Sequence, residues 1–141
     1  MKQLLLVCFF FSLTFGSNLQ AQEASDLELI QETITKYFDG WLTGNAELIG
    51  EAMHESCHLK FLREGKFELR NKEGYLSGFK PRPRLENAEG RIVSVDITRN
   101  AASAKIELEI PGRLFTDYFN LLKLDGVWYI TDKASTNIAL E

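Results

Sequence analysis

From Asp26 onward, apolar side chains recur three and four residues apart at Leu27, Ile30, Ile34, Tyr37, Phe38 and Trp41. That spacing places them on one face of an amphipathic helix. Ser25-Asp26 with Glu28 supplies an N-terminal cap and Gly44-Asn45 a stop, so the first helix is expected from about Asp26 to Thr43. A second, short helix carries Leu48, Ile49, Ala52 and Met53 and should end near His54 to Ser56. The period then drops to two. Leu59 and Phe61, a turn at Arg63-Glu64-Gly65-Lys66, and Phe67 and Leu69 read as a hairpin. Asn71 caps a third short helix through Tyr75, Leu76 and Phe79, and Pro81 and Pro83 in Lys80-Pro81-Arg82-Pro83-Arg84 prevent its continuation.

The rest is strand after strand. Val93-Val95-Ile97 alternates with Ser94-Asp96-Thr98, and Ala104-Ile106-Leu108-Ile110 with Lys105-Glu107-Glu109, with Asn100 near the turn between them. Leu114 to Leu124 and Val127 to Ala134 flank Asp125-Gly126, a strong short-hairpin signal. Helices first and an antiparallel meander last define an α+β class. With the common extra bulge residue at the Asp125-Gly126 turn, Tyr118, Asn120 and Leu122 share a face with Trp128, Ile130 and Asp132, while Lys123 faces water. Such a face, apolar with a few polar groups, suits a ligand pocket.

Ahead of these elements, Met1-Lys2-Gln3 precedes an apolar run from Leu4 to Phe15 and then Gly16-Ser17-Asn18-Leu19-Gln20-Ala21-Gln22. A basic start, an apolar stretch and a small residue before a polar break are the three regions of a secretory signal peptide. Residues 1–21 are therefore expected to be removed after Ala21, leaving residues 22–141 as one exported domain, secreted or periplasmic. The run is shorter than the roughly 20 residues that span a bilayer, and Cys8 lies too early in it for a lipidated cysteine. After processing no membrane association is expected.

Lys and Arg number 16 against 20 Asp and Glu; without Lys2 the balance is 15 − 20 = −5. An acidic domain has no footprint for nucleic acid. Cys57 alone survives processing, which excludes an internal disulfide and makes it a small buried hydrophobe.

Two local patterns invite chemistry. His54-Glu55-Ser56-Cys57-His58 spells the zinc-protease motif H-E-x-x-H, which needs unbroken helix through both histidines. The alternation at Leu59 and Phe61 says the chain has already become a strand, so no metal is assigned. Lys80, Arg82 and Arg84, spaced by prolines, could clamp an anion but read as a solvated connector, and no site is assigned there.

The order helix, helix, hairpin, helix, four strands resembles the nuclear transport factor 2-like superfamily along the whole mature chain. Tyr37-Phe38-Asp39-Gly40-Trp41-Leu42-Thr43-Gly44-Asn45 is similar to its first helix and glycine exit, and Ala52-Met53-His54-Glu55-Ser56-Cys57 to the end of its second helix. The stretch from Phe115 to Ile130 resembles the closing hairpin of the branch called Putative lumazine-binding, beside the SnoaL-like members. The resemblance implies a cone-shaped α+β fold, three N-terminal helices packed in a strongly bent antiparallel sheet, with a cavity at the wide end and pairing through the outer sheet face. It implies a homodimer that takes a small apolar or aromatic metabolite into a pocket formed by Tyr37, Trp41, Phe61, Tyr118, Asn120, Trp128 and Asp132, with no cofactor.

The superfamily also hosts ketosteroid isomerase-like proton transfer. Tyr37 matches the catalytic tyrosine of those members, seven residues before the glycine that ends the first helix, but the position of their base falls on Phe61, which cannot accept a proton. No catalytic residue is assigned. The alternative is a cofactor-independent isomerase, cyclase or dehydratase in the same pocket, using His54 or His58 with Asp132.

Overall fold

Helix α1 (Ser17–Thr43) presents Ile30, Ile34, Tyr37, Phe38 and Leu42 as one buried stripe, as the three-and-four spacing requires. A computed structural model describes residues 17–141, with side chains from Asp26 onward. The leader expected over residues 1–21, and Cys8 with it, lies for the most part outside the described residues. The helix begins at Ser17 rather than Asp26; Leu19, Gln20, Ala21, Gln22, Glu23 and Ala24 are all good helix formers.

Gly44, at φ 65°, ends α1, and a Cβ there would sit 2.0 Å from the Lys80 carbonyl oxygen. Asn45 caps α2 (Ala46–Ala52), its side-chain oxygen accepting from the N–H groups of Glu47 and Leu48. The chain leaves this helix at Met53, which makes a parallel bridge to Ile130. Strands β1 (His58–Arg63) and β2 (Lys66–Asn71) form a hairpin over Glu64-Gly65, both at positive φ. Asn71 caps α3 (Lys72–Leu76) through the N–H of Gly74; this helix stops before Phe79.

Four long strands follow: β3 (Glu89–Thr98), β4 (Ala101–Ile110), β5 (Arg113–Leu124) and β6 (Val127–Ala139). The sheet order is β2-β1-β6-β5-β4-β3. Every pairing is antiparallel except β1 with β6, which run parallel with Leu59 opposite Lys133 and Phe61 opposite Ser135. The expected antiparallel sheet is thus mixed at one junction, a long-range pairing that local patterns do not encode. The sheet curves over the helices without closing. Phe38 of α1 lies so close to β3 that a Cβ on Gly90 would meet its ring at 2.3 Å, so glycine there sets the depth at which helix and sheet pack.

Two bulges set which side chains face inward. One, at Val93, leaves Val93 on the exposed side while Ile92, Val95 and Ile97 pack on the core, correcting the expected Val93-Val95-Ile97 face. The other, at Thr131, separates the pairs Leu121–Ile130 and Asn120–Asp132. The Asp125-Gly126 turn itself carries no extra residue, since Lys123 pairs with Trp128 and Leu124 with Val127. Both central residues have positive φ, which suits the right-handed twist of a two-residue hairpin.

This corrects the expected face of the closing hairpin. Phe115, Asp117, Phe119, Leu121 and Lys123 point inward from β5, and Tyr118, Asn120 and Leu122 point outward. Lys123 does not face water. It lies half-buried beside Trp128, donating to Asp26 Oδ1 at 2.5 Å, while Trp128 Nε1 donates to the same oxygen at 3.2 Å.

Candidate functional site

Between the concave face of the sheet, the end of α1 and the segment from α3 onward lies a cavity of about 680 Å³. Its position follows from the local folding. The β1 hairpin turns Leu59 and Phe61 inward, β4 contributes Leu108, and Phe115 projects from β5. Trp41, one turn after Tyr37 at the edge of the buried stripe of α1, packs edge-on to Phe79 at 6.2 Å and tilted on Phe115 at 5.6 Å. These rings make an aromatic wall.

The floor is polar and buried. Lys133 on β6 is ion-paired with Asp117 on β5, the residues being 3 % and 2 % exposed. Ser135 Oγ donates to the second carboxylate oxygen of Asp117 at 2.5 Å. The Lys133 ammonium also lies over the rings of Tyr37, Tyr75 and Phe119, at 5.5, 5.9 and 5.5 Å. Burial pulls its pKa down, and the Asp117 charge opposes that shift. Behind the floor, the hydroxyls of Tyr37 and Tyr75 are hydrogen-bonded at 2.7 Å. Burial raises both phenols above their usual range, so neither ionises near neutrality.

Guanidinium groups surround the aromatic wall. Arg63 and Arg70 lie over Phe61, with Cζ 5.6 and 5.1 Å from the ring centre, Arg82 over Trp41 at 5.7 Å, and Arg113 over Phe115 at 5.9 Å. The proline-spaced segment is exposed, as a solvated connector should be, and is also tied to the end of α1. Arg82 donates through its backbone N–H to Thr43 O and through Nη2 to Trp41 O at 2.7 Å, and Leu85 N–H donates to Leu42 O. It thereby satisfies the last carbonyls of α1 and places a cation at that helix end. Arg84 pairs with Asp39 at 2.8 Å.

Of the residues expected around a pocket, Trp41 and Phe61 line this cavity, and Tyr37 lies behind it through Tyr75. Trp128 sits in the core. Tyr118, Asn120 and Asp132 are on the opposite face of the sheet. Tyr118 is 54 % exposed beside an outer groove with Lys60, Leu62 and Phe67, and both oxygens of Asp132 accept from Lys60 Nζ at 2.7 Å. Two features of the hairpin are the physical reason: the two-residue Asp125-Gly126 turn sets Tyr118 and Asn120 outward along β5, and the bulge at Thr131 moves Asp132 outward and Lys133 inward. Asp117, Lys133, Ser135 and Tyr75 were not anticipated, although the i, i+2 spacing of Phe115, Asp117, Phe119 and Leu121 carried the correct phase.

The histidine motif is split between elements. His54 follows α2, Glu55 and Ser56 form a turn, and His58 opens β1, so the two rings do not share a helix face. Ser56 Oγ lies 2.8 Å from His54 Nδ1, Ser56 O lies 2.8 Å from His58 Nδ1, and Glu55 pairs with Lys72 at 2.7 Å.

A curved six-stranded sheet wrapped around three N-terminal helices with a cavity between them is the nuclear transport factor 2-like fold. The sequence profile described as Putative lumazine-binding matches residues 25–134, and the chain belongs to that family. Among solved structures it is similar to a nuclear transport factor 2-like protein of unknown function from Shewanella baltica OS155, at 27 % identity and TM-score 0.74 over 82 % of this chain and 95 % of that one. A second such protein, from Methylobacillus flagellatus KT, is 25 % identical with TM-score 0.67 over 83 % and 94 %. A structure titled Putative Scytalone Dehydratase, from Novosphingobium aromaticivorans DSM 12444, shares the fold at 10 % identity and TM-score 0.62 over 86 % and 92 %. No curated protein matches the chain.

Proposed function

We propose that this chain is a binding domain that takes a small aromatic molecule into the cavity beneath Trp41 and Phe61 and holds it without chemical change. The observation that carries the reading is the division of the cavity into an aromatic wall and a buried polar floor whose groups already satisfy one another. Rings stack on the wall, and the floor orients one polar edge. Holding rather than turnover is supported by the state of the floor. Asp117 is engaged by Lys133 and Ser135 and has no free oxygen to act as a base, and Tyr37 spends its hydroxyl on Tyr75.

The domain acts after export, with the leader removed after Ala21, and as a homodimer. Export is supported by the composition of residues 1–21. Pairing through the outer sheet face is supported by the apolar side chains exposed there, Leu62, Phe67, Leu69, Tyr118 and Leu122. The mass of the protein recovered from its own envelope fraction, and its sedimentation, test these two points.

The binding test uses residues 22–141 and a panel of aromatic metabolites, with Trp41 fluorescence as the signal. Gly78→Trp obstructs the cavity at a position where an added Cβ meets nothing closer than 3.5 Å, so the backbone tolerates it. Saturable one-to-one binding that Gly78→Trp abolishes is the expected result. Binding unaffected by Gly78→Trp, or product formation during the titration, would overturn it.

A further inference from the structure

The residues around the cavity carry five cations, Arg63, Arg70, Arg82, Arg113 and Lys133, against two carboxylates, Glu64 and Asp117. The chain as a whole has formal charge −4. An acidic protein has thus collected positive charge around one concavity, from three separate parts of the chain: the β1–β2 hairpin, the proline-spaced segment and the start of β5. Lys133 is neutralised by Asp117 at the floor. The excess belongs to the arginines.

Those arginines are held in a particular way. Each guanidinium lies within cation–π distance of a ring, a contact that consumes no N–H group and leaves those not otherwise bonded to grip a carboxylate. Among the described residues, Arg63 and Arg70 share the one carboxylate of Glu68, at 3.5 and 3.7 Å, distances too long for tight hydrogen bonds. Among the described residues Arg113 has no carboxylate within ion-pair distance and rests on Phe115. Arg82 spends one nitrogen on Trp41 O. Donor capacity at the mouth therefore exceeds what the described residues use.

We infer that the ligand is an aromatic organic acid, its ring against Trp41, Phe61 and Phe115 and its anionic group at the mouth between Arg63, Arg70 and Arg113. This rests on the binding reading above and narrows it from aromatic molecules in general to aromatic anions. Low-dielectric walls concentrate the field of the arginines, so the collar also speeds capture of an anion by a chain that otherwise repels it.

The test compares 2-naphthoate with 2-naphthamide, two probes of nearly equal shape that differ in charge, on the protein and on the Arg70→Gln/Arg113→Gln variant. Naphthoate is expected to bind at least about tenfold tighter than naphthamide, to lose that advantage in the variant, and to weaken as salt is raised from low to high. Naphthamide affinity should be the same in both proteins. Equal affinities for the two probes would overturn the anion assignment and leave the cavity reading standing. Binding of neither probe, or binding of both undiminished by Gly78→Trp, would overturn both.

Discussion

Lys133 and Asp117 form an ion pair on neighbouring strands with both side chains almost wholly removed from water. Such a pair is costly to assemble and costlier to break, because removing one partner strands the other charge in a poorly solvating interior. Lys133→Met alone is expected to destabilise the protein by about 3–5 kcal/mol, and Asp117→Leu alone by a similar amount. The double variant should recover much of that loss. Urea unfolding of the three variants measures this; if the double variant is as unstable as the sum of the singles, the pair is not the unit it is taken to be.

Asp26 links the start of the folded stripe of α1 to the closing hairpin. Its carboxylate receives Lys123 and the indole of Trp128, and the Lys123 hydrogen bond, ahead of the opposing effect of burial, holds its pKa below the ordinary value. A depressed carboxylate contributes stability that is complete above its unfolded value of about 3.9 and is lost as pH falls through the lower folded value. The protein should therefore lose stability below about pH 4 more steeply than Asp26→Asn. At pH 7 Asp26→Asn should be less stable by about 1–2 kcal/mol. Melting curves between pH 2.5 and 7 decide it, and parallel curves for the two proteins would remove Asp26 from the account.

The order of elements was legible because each is declared locally: three-and-four spacing in α1, Asn45 and Asn71 as caps, Asp125-Gly126 as a turn. The parallel contact of Phe61 with Ser135 was not, since it joins residues 74 positions apart with no local signature. Trp41 and Phe61 could be placed by the cavity because their elements are regular. Asp132 could not, because its direction depends on where one extra residue enters β6, and Thr131-Asp132 looks like ordinary strand. A bulge is a property of two strands paired, so one strand read alone does not reveal it. The arginine collar was hidden for a related reason: its members come from distant segments that only the fold brings together.

The bulge makes its own prediction. Thr131 and Asp132 together oppose Asn120, so Trp128 and Ile130 face inward before it and Lys133 and Ser135 after it. Deleting Thr131 leaves Ile130 inward, Asp132 outward and Lys133 inward on a regular ladder. The variant should fold cooperatively with Trp128 still buried, less stable because the bend and the Thr131 hydrogen bond to Asn120 O are lost. Trp fluorescence and thermal melting report both points. A variant with exposed Trp128 would mean the phase is set elsewhere.

Cys57 is wholly buried where the chain enters β1, and burial, reinforced by the Asp132 carboxylate, pushes its thiol up to about 12. The thiolate is the reactive form, so at pH 8 folded residues 22–141, whose single cysteine is Cys57, should present no fast-reacting thiol, while the same residues denatured should react at the rate of a free cysteine. Titration with an aromatic disulfide reagent, with and without denaturant, measures the difference. Cys57→Ala should cost about 1–2 kcal/mol through the cavity it leaves, and Cys57→Ser more, because a hydroxyl is harder to bury unpaired than a thiol. Rapid labelling of the folded protein at pH 8 would show that Cys57 is reached from solvent, and its role would then be chemical rather than one of packing.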